Sequence, residues 1–140
     1  MKTSTFLLVL SIGMWLTACT AEVSNCSLQT NKWTELEKGS WEVTYAFLEQ
    51  GDETPSFRQV QLRFGEQGQV FGEISGRKVQ GGWQWINHDE EQWLRLRFVG
   101  AHRLELLNKD WKVLAGNQEV LFLSSPDKHQ TEHILKLQQS

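Results

Sequence analysis

From Trp41 onward, apolar and polar residues alternate along the chain. Trp41, Val43, Tyr45 and Phe47 are spaced by Glu42, Thr44 and Ala46. Val60, Leu62 and Phe64 alternate with Gln59, Gln61 and Arg63, and Leu94, Leu96 and Phe98 with Arg95 and Arg97. Leu104 and Leu106 flank Glu105, and Leu135 and Leu137 flank Lys136. A period of two puts apolar side chains on one face and polar ones on the other, as in a half-buried antiparallel strand. Turn-forming groups separate these runs: Gln50-Gly51-Asp52, Gly65 to Gly68, Ser75-Gly76-Arg77, Asn87 to Glu90, Val99-Gly100, Asn108-Lys109-Asp110, Gly116-Asn117 and Ser125-Pro126-Asp127. The pattern predicts strands over about 41–49, 57–64, 69–75, 79–86, 92–98, 102–108, 110–115, 118–124 and 131–138. Short strands joined by tight turns leave no room for crossover helices. The expectation is an all-β antiparallel meander of about eight strands, long enough to curl and close so that its edges disappear.

The segment before residue 35 is built differently. Lys2 precedes an apolar run of eleven residues, Phe6 to Leu16. A membrane-spanning helix needs about 20 residues, so the run fits the core of a secretory signal peptide instead. It ends in Leu16-Thr17-Ala18-Cys19, which resembles the bacterial lipobox. The resemblance implies cleavage before Cys19, a diacylglycerol on its sulfur and an amide-linked acyl chain of the palmitate kind on its new N-terminus. Two or more chains anchor a protein firmly where one does not. On this reading residues 1–18 are a lipoprotein signal peptide. Residues 19–34 form a lipidated tether, polar and without sustained periodicity, and residues 35–138 are the folded domain. The partner is a membrane, reached through the lipid. Thr20 stands where an Asp would resemble an inner-membrane retention signal, so the expected location is the outer membrane of the cell envelope.

Composition narrows the function. The 140 residues carry 14 Lys+Arg against 17 Asp+Glu, a net charge of −3, and loss of Lys2 with the signal peptide makes it −4. No basic face suits nucleic acid. Seven Trp and eleven Gly against two Pro favour compact β structure. With Cys19 given to lipid, Cys26 has no partner within the mature chain, so no internal disulfide is expected.

Leu36-Glu37-Lys38-Gly39-Ser40-Trp41 opens the first strand with Gly-x-Trp. Leu62 to Gly68 joins an apolar strand and a Phe to a Gly-containing turn, and Gly81-Gly82-Trp83-Gln84-Trp85 repeats Gly-x-Trp in a middle strand. Leu94-Arg95-Leu96 and Leu121-Phe122-Leu123 follow where later strands would run. Over about residues 36–138 this order resembles the small lipocalin-like domains of bacterial lipoproteins. The resemblance implies a closed barrel with the Trp41 indole sealing one end, and an interior that takes an apolar or amphipathic ligand. Arg95 and Arg97 are the candidates for the Arg that packs on that indole in larger lipocalins. A β-sandwich with a Trp core is the alternative architecture.

Candidate chemistry is sparse. His129-Gln130-Thr131-Glu132-His133 matches H-x-x-E-H, a zinc-peptidase pattern that works only on a helix. It runs into Ile134-Leu135-Lys136-Leu137, which reads as a strand, and in a strand the two His lie about 13 Å apart. The Asn87 to Glu91 loop lacks the spacing of a cation-binding loop and reads as a solvated hairpin tip. Gly-x-Ser-x-Gly, the P-loop and Gly-x-Gly-x-x-Gly are absent from the sequence. The expectation is a protein that is not an enzyme, with no cofactor and no metal. Its function would be to bind a small apolar ligand through Tyr45, Phe64, Trp83, Trp85 and Phe98, with Gly72, Gly81 and Gly82 leaving space beside them. The alternative is an interaction module with a filled barrel, serving an envelope protein or an enzyme to be inhibited.

Overall fold

The structure is a computed structural model that describes residues 34–140. The signal segment, Cys19, Cys26 and all but the last residue of the expected tether lie outside the described residues.

The strands are β1 (Trp41–Leu48), β2 (Gly51–Asp52), β3 (Gln61–Phe64), β4 (Gln69–Ile74), β5 (Arg77–His88), β6 (Glu91–Phe98), β7 (Asp110–Gly116), β8 (Val120–Pro126) and β9 (Glu132–Gln139). Each pairs antiparallel with its sequence neighbour from β3 through β9. β1 then pairs with both β3 and β9, so the sheet closes. Eight strands form the barrel, and two-residue β2 folds back on the end of β1. One closed sheet replaces the sandwich alternative. Local chemistry sets the register. Ser75 and Gly76 both hold positive φ (51° and 76°) between the paired residues Ile74 and Arg77. That is the two-residue turn whose twist matches an antiparallel pair. Asp89 and Glu90 do the same between His88 and Glu91.

Both ends are stoppered. At one end Trp41 is buried beneath a 3₁₀ turn (Thr34–Glu37), and its indole Nε1 donates to the Leu36 carbonyl at 3.0 Å. The Gly-x-Trp expectation holds there. Arg95 and Arg97 do not pack on that indole. They alternate with the inward Leu94, Leu96 and Phe98, and so stand on the outer face with Asp110. At the other end the core takes in Phe57, the last residue of a second 3₁₀ turn (Thr54–Phe57), and Val60, along with Leu104 of a short helix α1 (His102–Glu105) and Leu107 just after it.

Besides a register shift in β7 between Val113 and Ala115, three stretches depart from period two. Residues 102–108, expected as a strand, form α1 and its exit. The buried pair is Leu104 and Leu107, three apart, which is a helical spacing. Asn108 holds this excursion to the end of β6: its side-chain Oδ1 accepts from the Phe98 N–H (2.6 Å) and its Nδ2 donates to the Phe98 carbonyl (2.8 Å). The expected strand at 57–64 begins only at Gln61, because Phe57 and Val60 turn inward as part of the plug and Gln59 takes φ 65°. Finally, β1 bulges at Thr44: Val43 pairs with Leu137 but Tyr45 pairs with Lys136. One extra residue reverses the facing of everything after it. Ala46 and Leu48 point inward, and Tyr45 and Phe47 point out.

Candidate functional site

The barrel interior is the first place to look for a ligand. β5 turns Val79, Gly81, Trp83 and Trp85 inward and Gly82 and Ile86 outward, from its pairing of Trp83 with the buried Leu96. Phe64 and Trp83 meet edge to face at 5.4 Å between ring centres, and Trp83 meets Trp85 the same way at 6.0 Å. The Trp83 Nε1 donates to the Gly65 carbonyl at 3.0 Å. Phe98 is buried against Gly81. Four of the five sequence-predicted ligand residues, Phe64, Trp83, Trp85 and Phe98, therefore lie on the inner face. Tyr45 does not: the bulge places it on the outer wall, 39% exposed.

The space expected beside the glycines is occupied. A Cβ on Gly72 would lie 2.4 Å from Leu104 Cδ1, and one on Gly81 would lie 2.4 Å from the Arg97 carbonyl and 2.7 Å from the Phe98 ring. Gly82 faces out. Leu62, Leu94, Leu96, Trp111, Leu121, Leu123, Leu135 and Leu137 complete a packed interior. Trp85 stands apart. It is half-buried, and its Nε1 is shielded from water without a hydrogen-bond partner.

The second place is the rim beside α1. His133 is 1% exposed and faces inward with Leu135 and Leu137, opposite Ser125 on β8. Neither ring nitrogen has a hydrogen-bond partner. Burial, helped by the nearby Lys109 ammonium, pushes its pKa below the ordinary 6.5, while Asp127 and Glu49 pull the other way. The ring is therefore neutral at pH 7 and offers one donor and one acceptor. His133 and Ser125 are among the residues that line a surface cleft of about 350 Å³, together with Trp93, Arg97, Lys109, Asp110, Asp127 and Lys128. Arg95 forks onto Asp110 with 2.7 and 2.8 Å bonds, and Arg97 adds a third at 3.0 Å. The Arg95 bonds, more than the general charge of the pair, hold the Asp110 carboxyl below the usual carboxylate range. Lys109 reaches Glu49 at 3.3 Å. A larger cleft of about 470 Å³ lies on the other side of Lys109, between the 3₁₀ turn at 54–57 and α1.

Sequence reasoning singled out His133 only within the H-x-x-E-H pattern. The strand reading of that segment holds, and His129 is exposed while His133 is buried. Among the described residues, no three His, Cys, Asp or Glu side chains group as a metal site. Extending the Leu135–Leu137 alternation back by one step would have placed His133 inside. Nothing in the pattern pairs Asp110 with both guanidiniums, because that depends on the register of β6 on β7.

No protein-family model matches this chain, and no curated protein matches it. A solved structure, that of a DUF4847 family protein from Bacteroides vulgatus ATCC 8482, is similar in fold. Its TM-score is 0.51 at 15% sequence identity, over 75% of this chain and 94% of that one. At that identity the likeness shows a shared small barrel fold.

Proposed function

We propose that this protein is a lipid-anchored envelope lipoprotein, held at the outer membrane through Cys19, that acts as a non-enzymatic interaction module. The carrying observation is the filled interior: Leu104 occupies the space at Gly72, and Phe98 that at Gly81. With the barrel spent on its own core, contacts fall to the outer wall. There β1, β9, β8 and β7 carry exposed apolar side chains around Lys136, whose ammonium lies 5.4 Å from the centre of the Phe122 ring. Tyr45, Lys136, Phe122 and Ala115 form one cross-strand row, with exposed Leu114 beside it. Phe47 and Ile134 lead the next. Exposed apolar side chains gathered on one wall mark protein contacts. An envelope protein is the partner this surface suits.

A photo-crosslinking residue placed at Tyr45 or Phe122 in the native host tests the reading. It should trap a discrete envelope protein, whereas the same probe at Gln80, on the outer face of β5, should not. Cys19→Ser should leave the precursor unlabelled by palmitate and lower the crosslinked yield. Equal crosslinking from all three positions would sink the proposal, and palmitate labelling of Cys19→Ser would remove the anchor.

A second reading keeps the lipocalin-like function, a small apolar or amphipathic ligand. One observation favours it: the unpartnered, half-buried Trp85 indole on the inner face.

A further inference from the structure

The wall of β1, β9 and β8 carries a charge pattern that the fold does not need. On β9, His133, Leu135 and Leu137 face the core, so Glu132, Ile134 and Lys136 face out. Glu132 and Lys136 stand two residues to either side of Ile134, each about 7 Å away along the strand. Register sets their neighbours. Ile134 lies between Phe47 and the small Ser124, Lys136 between Tyr45 and Phe122, and Glu132 beside Pro126. Lys136 is the one charge in a row otherwise made of Tyr45, Phe122 and Ala115. Among the described residues, neither Lys136 nor Glu132 forms an ion pair.

We infer that this wall docks on the same wall of a second copy of this chain, a partner that deepens the interaction-module reading and rests on it. In a two-fold contact one patch meets itself, so it has to be complementary to its own rotated image. An axis lying across the strands at the level of Ile134 runs the two β9 strands antiparallel, sheet against sheet. It sets Ile134 and Phe47 on their own counterparts. Lys136 of each copy then meets Glu132 of the other, so the ion pair forms twice. Phe122 of each meets Pro126 of the other. Like charges at 132 and 136 would repel under the same rotation. A different envelope protein would require no such opposition of sign about Ile134. Three strands are only about 14 Å wide, so the face falls well short of the roughly 800 Å² a side of a standard interface. The contact is therefore weak in free solution. Anchoring both copies to one membrane raises their effective concentration.

The test uses the full chain in its native host. Two differently tagged copies are expressed together, with a photo-crosslinking residue at Phe122. The expected product has twice the chain mass and carries both tags, and a probe at Gln80 gives none of it. Lys136→Glu or Glu132→Lys, placed in both copies, should each lower the yield by about fivefold or more, since two solvated ion pairs turn repulsive. The double swap Lys136→Glu with Glu132→Lys should restore it. So should one copy carrying Lys136→Glu beside another carrying Glu132→Lys, a rescue that misfolded variants could not give. A product with a different envelope protein and none with both tags would overturn the second copy as partner while leaving the interaction surface standing. No crosslinked product at all would remove both. Failure of the two rescues would show that the β9 charges do not meet across a two-fold, and would overturn the inference.

Discussion

The side chains that decide most about this molecule sit where local rules are broken. His133 is one. Its pKa is lowered in the folded barrel, first by burial, whereas in the unfolded chain it titrates near 6.5. The unfolded state therefore binds the extra proton first as pH drops. The stability contributed by the neutral ring is complete above about pH 6.5 and is lost progressively below it. The midpoint of urea unfolding should fall between pH 7.5 and pH 5.5, and the same fall should be smaller in His133→Gln. An identical pH slope in the two proteins would mean that His133 is not buried as a neutral ring. Tyr45 is the other such residue. Its position in the run Trp41, Val43, Tyr45, Phe47 gave it an inward reading, and one extra residue at Thr44 reverses it. A bulge leaves the sequence alternating while the facing changes, so no count of apolar positions along β1 could have revealed it.

At the scale of elements, legibility follows the range of the interactions. β4, β5 and β6 were readable because each is framed by a tight turn and pairs with its neighbour without a register shift. Gly-x-Trp correctly located the sealed end. The two plugs were not readable. Phe57 with Val60, and Leu104 with Leu107, satisfy a period of three as well as a strand-like run, and only the distant barrel end they enter decides between them. The glycines misled for the same reason. They look like room for a ligand, yet Gly72 is small so that α1 can dock Leu104 against β4. Gly72→Ala should therefore destabilise by about 1–3 kcal/mol through overpacking. Leu104→Ala alone should cost about 2–5 kcal/mol through the cavity it leaves. Together they should cost less than their sum, because the new methyl occupies part of the vacated volume. Strict additivity in urea titrations of the three variants would show that α1 does not seat on Gly72. Gly81→Ala has no such rescue, since its added methyl meets the Arg97 backbone carbonyl as well as the Phe98 ring.

For the molecule as a whole, the two functional readings divide on what the interior can admit. A hollow lipocalin-like barrel would take an apolar ligand without rearrangement. Here both ends are closed, by Trp41 under Leu36 and by Phe57, Val60, Leu104 and Leu107, and the space between is lined by fully buried leucines and aromatics. A long apolar ligand could enter only by displacing a plug, and the packing lost would be set against its own burial. An uncharged probe is the right choice, because a fatty acid would also respond to charged side chains on the surface. Dodecanol, added to the stretch 20–140, should leave the melting temperature unchanged within about 1 °C, smaller than the 2–8 °C that 1 kcal/mol produces in domains. A ligand-binding barrel predicts otherwise: at a hundredfold excess over Kd the folded state gains about 2.7 kcal/mol, a rise of several degrees. Entry beside Trp85 would in addition give its indole N–H a changed environment and alter the tryptophan emission. A dose-dependent rise in melting temperature with that spectral change would make the barrel a ligand carrier and return the outer apolar side chains to ordinary surface. A flat response leaves the wall of β1, β9, β8 and β7 as the face through which the protein acts.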